Sequence, residues 1–207
     1  MSEANAGRAA ALTAAAACAT AGTRVAVLVE GASDRAAIVA MASRLGYDLE
    51  ASGVSVAPMG GATNIGHFAS ALGPRGLGLR LAGLCDEGED AAFRRGLAQA
   101  GLDPGNDRRG LERLGFFVCV ADLEDELIRA LGVPAVEQVI AAEGEIRRLR
   151  ALRSQPAQRS RPPAAQLRRF IAGRSGAKER YAAALASALA PARLPPPLES
   201  LLAGLPR

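Results

Sequence analysis

Three apolar runs in this chain each end in acid. Val25-Ala-Val-Leu-Val29 delivers Glu30, then Gly31, then Asp34 at the start of a helical stretch. Leu84-Cys85 delivers Asp86, with Glu89 and Asp90 just behind it. Phe117-Val-Cys-Val-Ala121 delivers Asp122 and Glu124, followed by Asp125 and Glu126. Each of these acids, taken singly, has a cheap structural explanation; for Glu30 it is an exposed loop acid. Asp34, Glu89, Glu124 and Glu126 suit a first helical turn, where the macrodipole favours negative charge. Asp122 suits an N-cap, with Asp125 three residues on. Glu30 and Asp86 are harder to explain, because they close apolar runs instead of lying on a solvated face. If the three runs are parallel neighbours, their acids share one sheet edge, and their mutual repulsion invites a cation. A set of hard oxygen ligands without His or Cys selects Mg2+, with Mn2+ or Ca2+ as alternatives, over zinc. Such sites serve phosphodiester chemistry, in which metals activate water and stabilise a leaving oxygen.

The elements that would carry these acids alternate. Alanine-rich residues 9–20 read as a helix and 24–29 as a buried, β-branched strand. Ser33 or Asp34 starts a helix to about Leu45, and Val54–Pro58 is a second strand closed by Met59-Gly60-Gly61. A short helix through His67 to Leu72, a third strand at 79–85 and a helix over 90–100 follow. Residues 102–110 read as a turn-rich excursion, 116–120 as a fourth strand and 122–131 as a helix ended by Gly132. This pattern predicts an α/β fold: a mainly parallel four-stranded sheet flanked by helices, with a C-terminal helical extension. Right-handed crossovers place the C-terminal strand ends, where ligands gather, on one edge. The expected organisation is an N-terminal helix over 1–23, the α/β domain over 24–132 and an Arg-rich helical region over 133–207.

That last region changes character. Arg147, Arg148, Arg150, Arg153, Arg159, Arg161, Arg168, Arg169, Arg174, Lys178 and Arg180 accumulate there, with Glu179 as the only acid inside the run. A solvated helical face is one reading; contact with nucleic-acid phosphates is the other, carried by Arg147, Arg148, Arg168, Arg169, Arg174 and Lys178. Phe170 and Tyr181 are the few aromatics there, so base stacking finds little support in the sequence. Residues 155–163 read as a flexible polar break, and Ser175 or Gly176 as the start of a last long helix.

A chain of 207 residues with 49% apolar content suits one domain with an appendage, and 3% aromatics demand an aliphatic core. The formal net charge of +4 leans toward anionic partners. Cys18, Cys85 and Cys119 are an odd number without CxxC spacing, which fits core thiols in a reducing cytoplasm and supports neither a disulfide framework nor zinc. Arg8 and the alanines after it faintly suggest a signal peptide, but a helix leading into the first strand fits better. No run is long and apolar enough for a membrane span, so no membrane partner is expected. The single histidine, His67, fits packing better than catalysis.

The segments Val29-Glu30-Gly31-Ala-Ser33-Asp34, Met59-Gly60-Gly61, Leu84-Cys85-Asp86 and Asp122-Leu123-Glu124 resemble the Toprim domain of OLD-family (overcoming lysogenization defect) nucleases, over roughly Val25 to Leu131. Ser175-Gly-Ala-Lys178-Glu-Arg180, with the alanine-rich helix and Pro-Pro-Leu segment after it, resembles the end of OLD proteins. The resemblance implies a Rossmann-like Toprim sheet and Mg2+-dependent DNA cleavage. By position it implies Glu30, Asp34, Asp86 and Glu124 as metal ligands or general base, with Asp122 a further participant. It implies Lys178 as a basic residue near the scissile phosphate. Two departures stand out. The family's Asp-x-Asp is here Asp86-Glu87-Gly88, which raises Glu89 as a replacement ligand. No Walker A motif is present, so the chain reads as a free-standing Toprim protein whose ATP dependence, if any, comes from a separate ATPase partner. The expected function is metal-dependent DNA hydrolysis. The alternatives are a non-catalytic nucleic-acid-binding or regulatory Toprim module working with that ATPase, and small-phosphate chemistry, which needs a strand-end Asp-x-Asp that is missing. A homodimer stays open.

Overall fold

The computed structural model of the chain describes residues 3–173 and 176–206; Arg174 and Ser175 lie outside the described residues. Helix α1 (Glu3–Thr20) leads into β1 (Val25–Val29), α2 (Ala32–Arg44), β2 (Val54–Pro58), α3 (Ile65–Leu72), β3 (Arg80–Asp86), α4 (Asp90–Gln99), α5 (Arg108–Arg113), β4 (Phe116–Cys119) and α6 (Leu123–Leu131). The rest is helical: α7 (Val133–Ala142), α8 (Ile146–Ser154), α9 (Pro156–Arg159), α10 (Pro163–Ala172), α11 (Ala177–Ala188) and α12 (Pro196–Ala203).

All four strands are parallel, in the order β2-β1-β3-β4. Every residue of β1 is buried, as its unbroken apolar run requires. Period-two alternation sends its side chains to opposite faces. Val25, Val27 and Val29 join a core with α2, α6 and the C-terminal helices, while Ala26 and Leu28 join one with α1, α3, α4 and Phe116. The C-terminal helices are thus built into the sheet's own packing: Tyr181, Leu185 and Leu189 share the β1 core. From β1 the chain moves outward one way to β2, and from β3 the other way to β4. The order therefore reverses between β1 and β3, and the ends of those two strands flank a crevice where open α/β sheets bind ligands.

Several elements differ from expectation, each for a local reason. Strand β3 runs one residue further, so Asp86 is its last member. Helix α2 begins at Ala32, and Asp34 is its third residue rather than its cap. The expected excursion contains α5, whose signal was Asp107: its carboxylate accepts from Gly110 N–H at 2.9 Å. The expected polar break is ordered around α9, where the Gln166 side-chain amide donates to the Gln158 carbonyl at 2.8 Å. The tract after Pro134 is two helices, α7 and α8, parted at Gly144 with φ 74°.

Gly31 proves less demanding than its place between two acids suggests. Its φ of −141° is extended backbone open to any residue. A methyl group there would meet nothing nearer than 4.0 Å. Gly31→Ala is therefore expected to fold within about 0.5 kcal/mol of the wild type, as thermal denaturation can measure.

Candidate active site

The acids arrive from both sides of the crevice between β1 and β3. Glu30 follows β1 directly, half-buried, and its backbone carbonyl accepts from Gly60 N–H (3.0 Å) and Gly61 N–H (3.1 Å). That ties the Met59-Gly60-Gly61 turn to the mouth of β1. Asp34, on the first turn of α2, folds back so that its Oδ2 accepts from Gly31 N–H at 2.8 Å. Helix capping thus accounts for one of its oxygens, as the sequence allows. Asp86 ends β3 across the switch point.

From β4 the chain turns sharply through Ala121, a non-glycine residue at φ 66°, an uncommon conformation that L-residues resist. Glu126 supports this turn: its Oε1 accepts from Val120 N–H at 2.8 Å and its Oε2 meets Arg129 at 2.7 Å. The turn delivers Asp122 as N-cap of α6, with Oδ1 accepting from Asp125 N–H at 2.8 Å. Its Oδ2 pairs closely with Arg168 of α10. Glu124, in the first turn of α6, is only 5% exposed. Lys178 Nζ of α11 pairs with Glu124 Oε1 at 3.2 Å, and among the described residues Glu124 Oε2 has no hydrogen-bond partner. A buried carboxylate with one oxygen left over is costly unless something else completes it.

Electrostatics places these groups in one field. Burial is the main cause that lifts the Asp86 carboxyl to about 8, and Asp34, Glu30, Asp122 and Glu124 all push it further. Burial likewise lifts Asp34 to about 6; the Gly31 N–H opposes this, and Glu124 and Glu30 add to it against Lys178. For Lys178, burial works against the charged form, but Glu124, with Asp34 and Asp122, outweighs it and holds the ammonium above its ordinary value. Glu30, Asp34, Asp86, Asp122, Glu124 and Lys178 therefore act on one another. Glu89 lies in a 3₁₀ turn (Glu87–Glu89) after β3 and is not among the main charges acting on Asp86. Among the described residues, no three acids close on one point in ready ion-binding geometry. Cys85 and Cys119 are buried, and burial together with nearby acids pushes both thiols upward, so neither is a nucleophile at neutral pH.

The basic residues divide by partner. Arg168 is engaged by Asp122 and, at 3.7 Å, by Asp125. Arg148 lies 3.8 Å from Glu145, and Arg147 and Arg169 are exposed. Arg153 pairs with Glu137 (2.7 Å), and Arg180 with Glu143 (3.3 Å) and Glu145 (2.7 Å). Beside the acids lies a cleft of about 310 Å3 lined by Asp122, Glu124, Arg161, Arg168, Arg169 and Lys178. Arg161 belongs to the basic run, but nothing in the sequence distinguishes it from its neighbours. A surface hollow of about 610 Å3 between α2 and β2 is lined by none of these acids.

A parallel β2-β1-β3-β4 sheet with carboxylates gathered at its switch point defines an α/β domain of the Toprim type. Residues 23–87 match the family described as "Overcoming lysogenization defect protein-like, TOPRIM domain". The C-terminal region of the Xanthomonas campestris pv. campestris OLD protein, phased with platinum, matches with TM-score 0.67 and 30% identity, over 88% of this chain and 92% of that one. The same region phased with mercury gives TM-score 0.64 and 28% identity, over 87% and 93%. The C-terminal region of the Burkholderia pseudomallei OLD protein gives 0.65 and 25%, over 87% and 96%. No curated protein matches. The chain belongs to the OLD-like Toprim family. Glu30, Asp34 and Asp86 fall inside the family match; Asp122, Glu124 and Lys178 follow it.

Proposed function

We propose that this chain hydrolyses phosphodiester bonds in DNA with Mg2+, or Mn2+ or Ca2+ in its place, as an OLD-type Toprim nuclease. The observation that carries the proposal is Glu124: a carboxylate 5% exposed, with one oxygen unpartnered among the described residues, on the edge where it and three other acids raise Asp86. Glu30, Asp34, Asp86 and Glu124 would hold the cation, with Asp122 committed to its cap and to Arg168 and Glu89 further out. The donor set is all carboxylate oxygen, which fits a hard divalent ion. A divalent ion held by these residues would supply Lewis-acid polarisation of a phosphoryl oxygen and a more acidic water. The remaining work belongs to the protein. One carboxylate, Glu30 at the mouth of β1, orients the attacking water and takes its proton. Lys178 faces the charge that develops on the scissile phosphate. Arg147, Arg148, Arg168 and Arg169, with Arg174, position the backbone.

The test is nicking of supercoiled plasmid with Mg2+ or Mn2+. Wild type is expected to nick, while Glu30→Ala and Asp86→Ala lose at least about 100-fold. Equal rates for all three would overturn the assignment. A second reading, a non-catalytic nucleic-acid-binding module serving a separate ATPase, draws on Asp86-Glu87-Gly88 and on the ion pairs that already occupy Asp122 and Glu124. DNA retention without metal-dependent nicking would favour it.

A further inference from the structure

Arg169 lines two clefts. One is the cleft beside the acids; the other, of about 580 Å3, lies on the surface of α8, α9 and α10, lined by Arg148, Leu152, Gln155, Gln158, Arg169, Phe170 and Gly173. The second is within the size range of small-ligand pockets. Its chemistry is that of a nucleotide. Arg169 has no ion pair among the described residues, and Arg148 has only a 3.8 Å contact with Glu145, so both cations are available to phosphate. Phe170 is half-buried and held edge-on against Tyr181, with ring centroids 5.9 Å apart, which fixes an aromatic wall. Gln158 is 7% exposed, and among the described residues its side-chain oxygen has no hydrogen-bond partner. An unpaired buried amide burdens the fold unless a ligand N–H completes it. Every nucleobase carries such an N–H on its pairing edge, and that edge is free only in a single strand.

We propose that this second cleft is a base-binding subsite for a single-stranded nucleic acid. The base lies against Phe170, its pairing edge donates to the Gln158 amide, and Arg169 holds the phosphate that leads toward the acids. The proposal rests on the phosphodiester reading of the neighbouring site for its direction. It departs from the expectation from sequence that base stacking has little support, because folding sets Phe170 of α10 and Gln158 of α9 on one cleft.

The experiment uses the full chain in EDTA with a fluorescein-labelled single-stranded hexadeoxynucleotide, read by anisotropy, and a series carrying one abasic nucleotide at each position. One abasic position is expected to weaken binding about tenfold. Gln158→Leu and Arg169→Ala are each expected to weaken the intact oligonucleotide about tenfold. Gln158→Leu should leave the weakened abasic ligand unchanged and melt at or above the wild-type temperature, since it removes an unsatisfied polar group. The duplex of the same sequence should bind more weakly. Equal affinity for intact and abasic strands, for single strand and duplex, or for wild type and Gln158→Leu would overturn the subsite, as would no binding. Nicking reports on the acids separately: retention that depends on the base without nicking keeps the subsite and ends the nuclease reading. Nicking without that retention does the reverse.

Discussion

Asp86→Asn should give a metal-free protein that melts higher than the wild type yet nicks plasmid DNA at least about 100-fold more slowly. Asp86 is raised to about 8 by burial and by Asp34, Glu30, Asp122 and Glu124, so its ionised form is disfavoured in the fold. An amide of the same shape removes that burden and, on the proposed reading, removes a cation ligand with it. Asp86 keeps part of its surface in water, so the gain is discounted for screening to about 1 kcal/mol, or ~2–4 °C for a chain of this length. The same electrostatics fixes a pH dependence. Both Asp34 (about 6) and Asp86 (about 8) titrate above their ordinary 3.8 when folded, so between these values the native state binds more protons than the unfolded one. Metal-free stability should then be greatest near pH 4, as far as these two groups decide it, and fall as pH rises to about 8. In Asp86→Asn the upper part of that decline should vanish. Melting in EDTA across this range checks both statements. A variant that melts lower than the wild type at pH 8 would show that Asp86 is satisfied by something other than a cation.

How much of this was legible depended on distance along the chain. Glu30 and Asp86 could be found because an apolar run ending in acid is a local pattern, and a parallel sheet brings such ends to one edge whatever the loops do. Asp34 was read correctly as belonging to a helical first turn, and the structure adds that one residue can cap and share the acidic field at once. The pairing of Arg168 with Asp122, 46 residues apart, has no local signature. Nor do the pairs of Arg153 with Glu137 and Arg180 with Glu143. They explain why a run with a single acid inside it is partly neutralised after folding. The irregular segments were the hardest. Helices α5 and α9 are too short for a hydrophobic period to show, and α9 gains its order from contacts to α10 that only the folded chain supplies.

Lys178→Met should separate binding of the cation from cleavage. In the wild type its ammonium stands 3.2 Å from Glu124 Oε1 and is held charged by that carboxylate, against the cost of burial. Removing it leaves Glu124 buried with no cation beside it among the described residues. Loss of one partner of a buried pair costs about 3–5 kcal/mol; with half of the Lys178 side chain exposed, about 1–2 kcal/mol is the reasonable expectation here. Metal-free Lys178→Met should therefore melt lower than the wild type, opposite in sign to Asp86→Asn. The same loss removes a positive charge that competes with a divalent ion for the acids. Mn2+ should bind up to about tenfold more tightly by calorimetry, and the melting difference should narrow when it does. Nicking should still fall by about 100–1,000-fold, because the donor proposed to face the scissile phosphate as its charge develops is gone. Tighter metal with slower cleavage is a combination that a merely structural lysine does not produce. If cleavage and metal affinity fell together, Lys178 would be holding Glu124 in place rather than meeting the substrate.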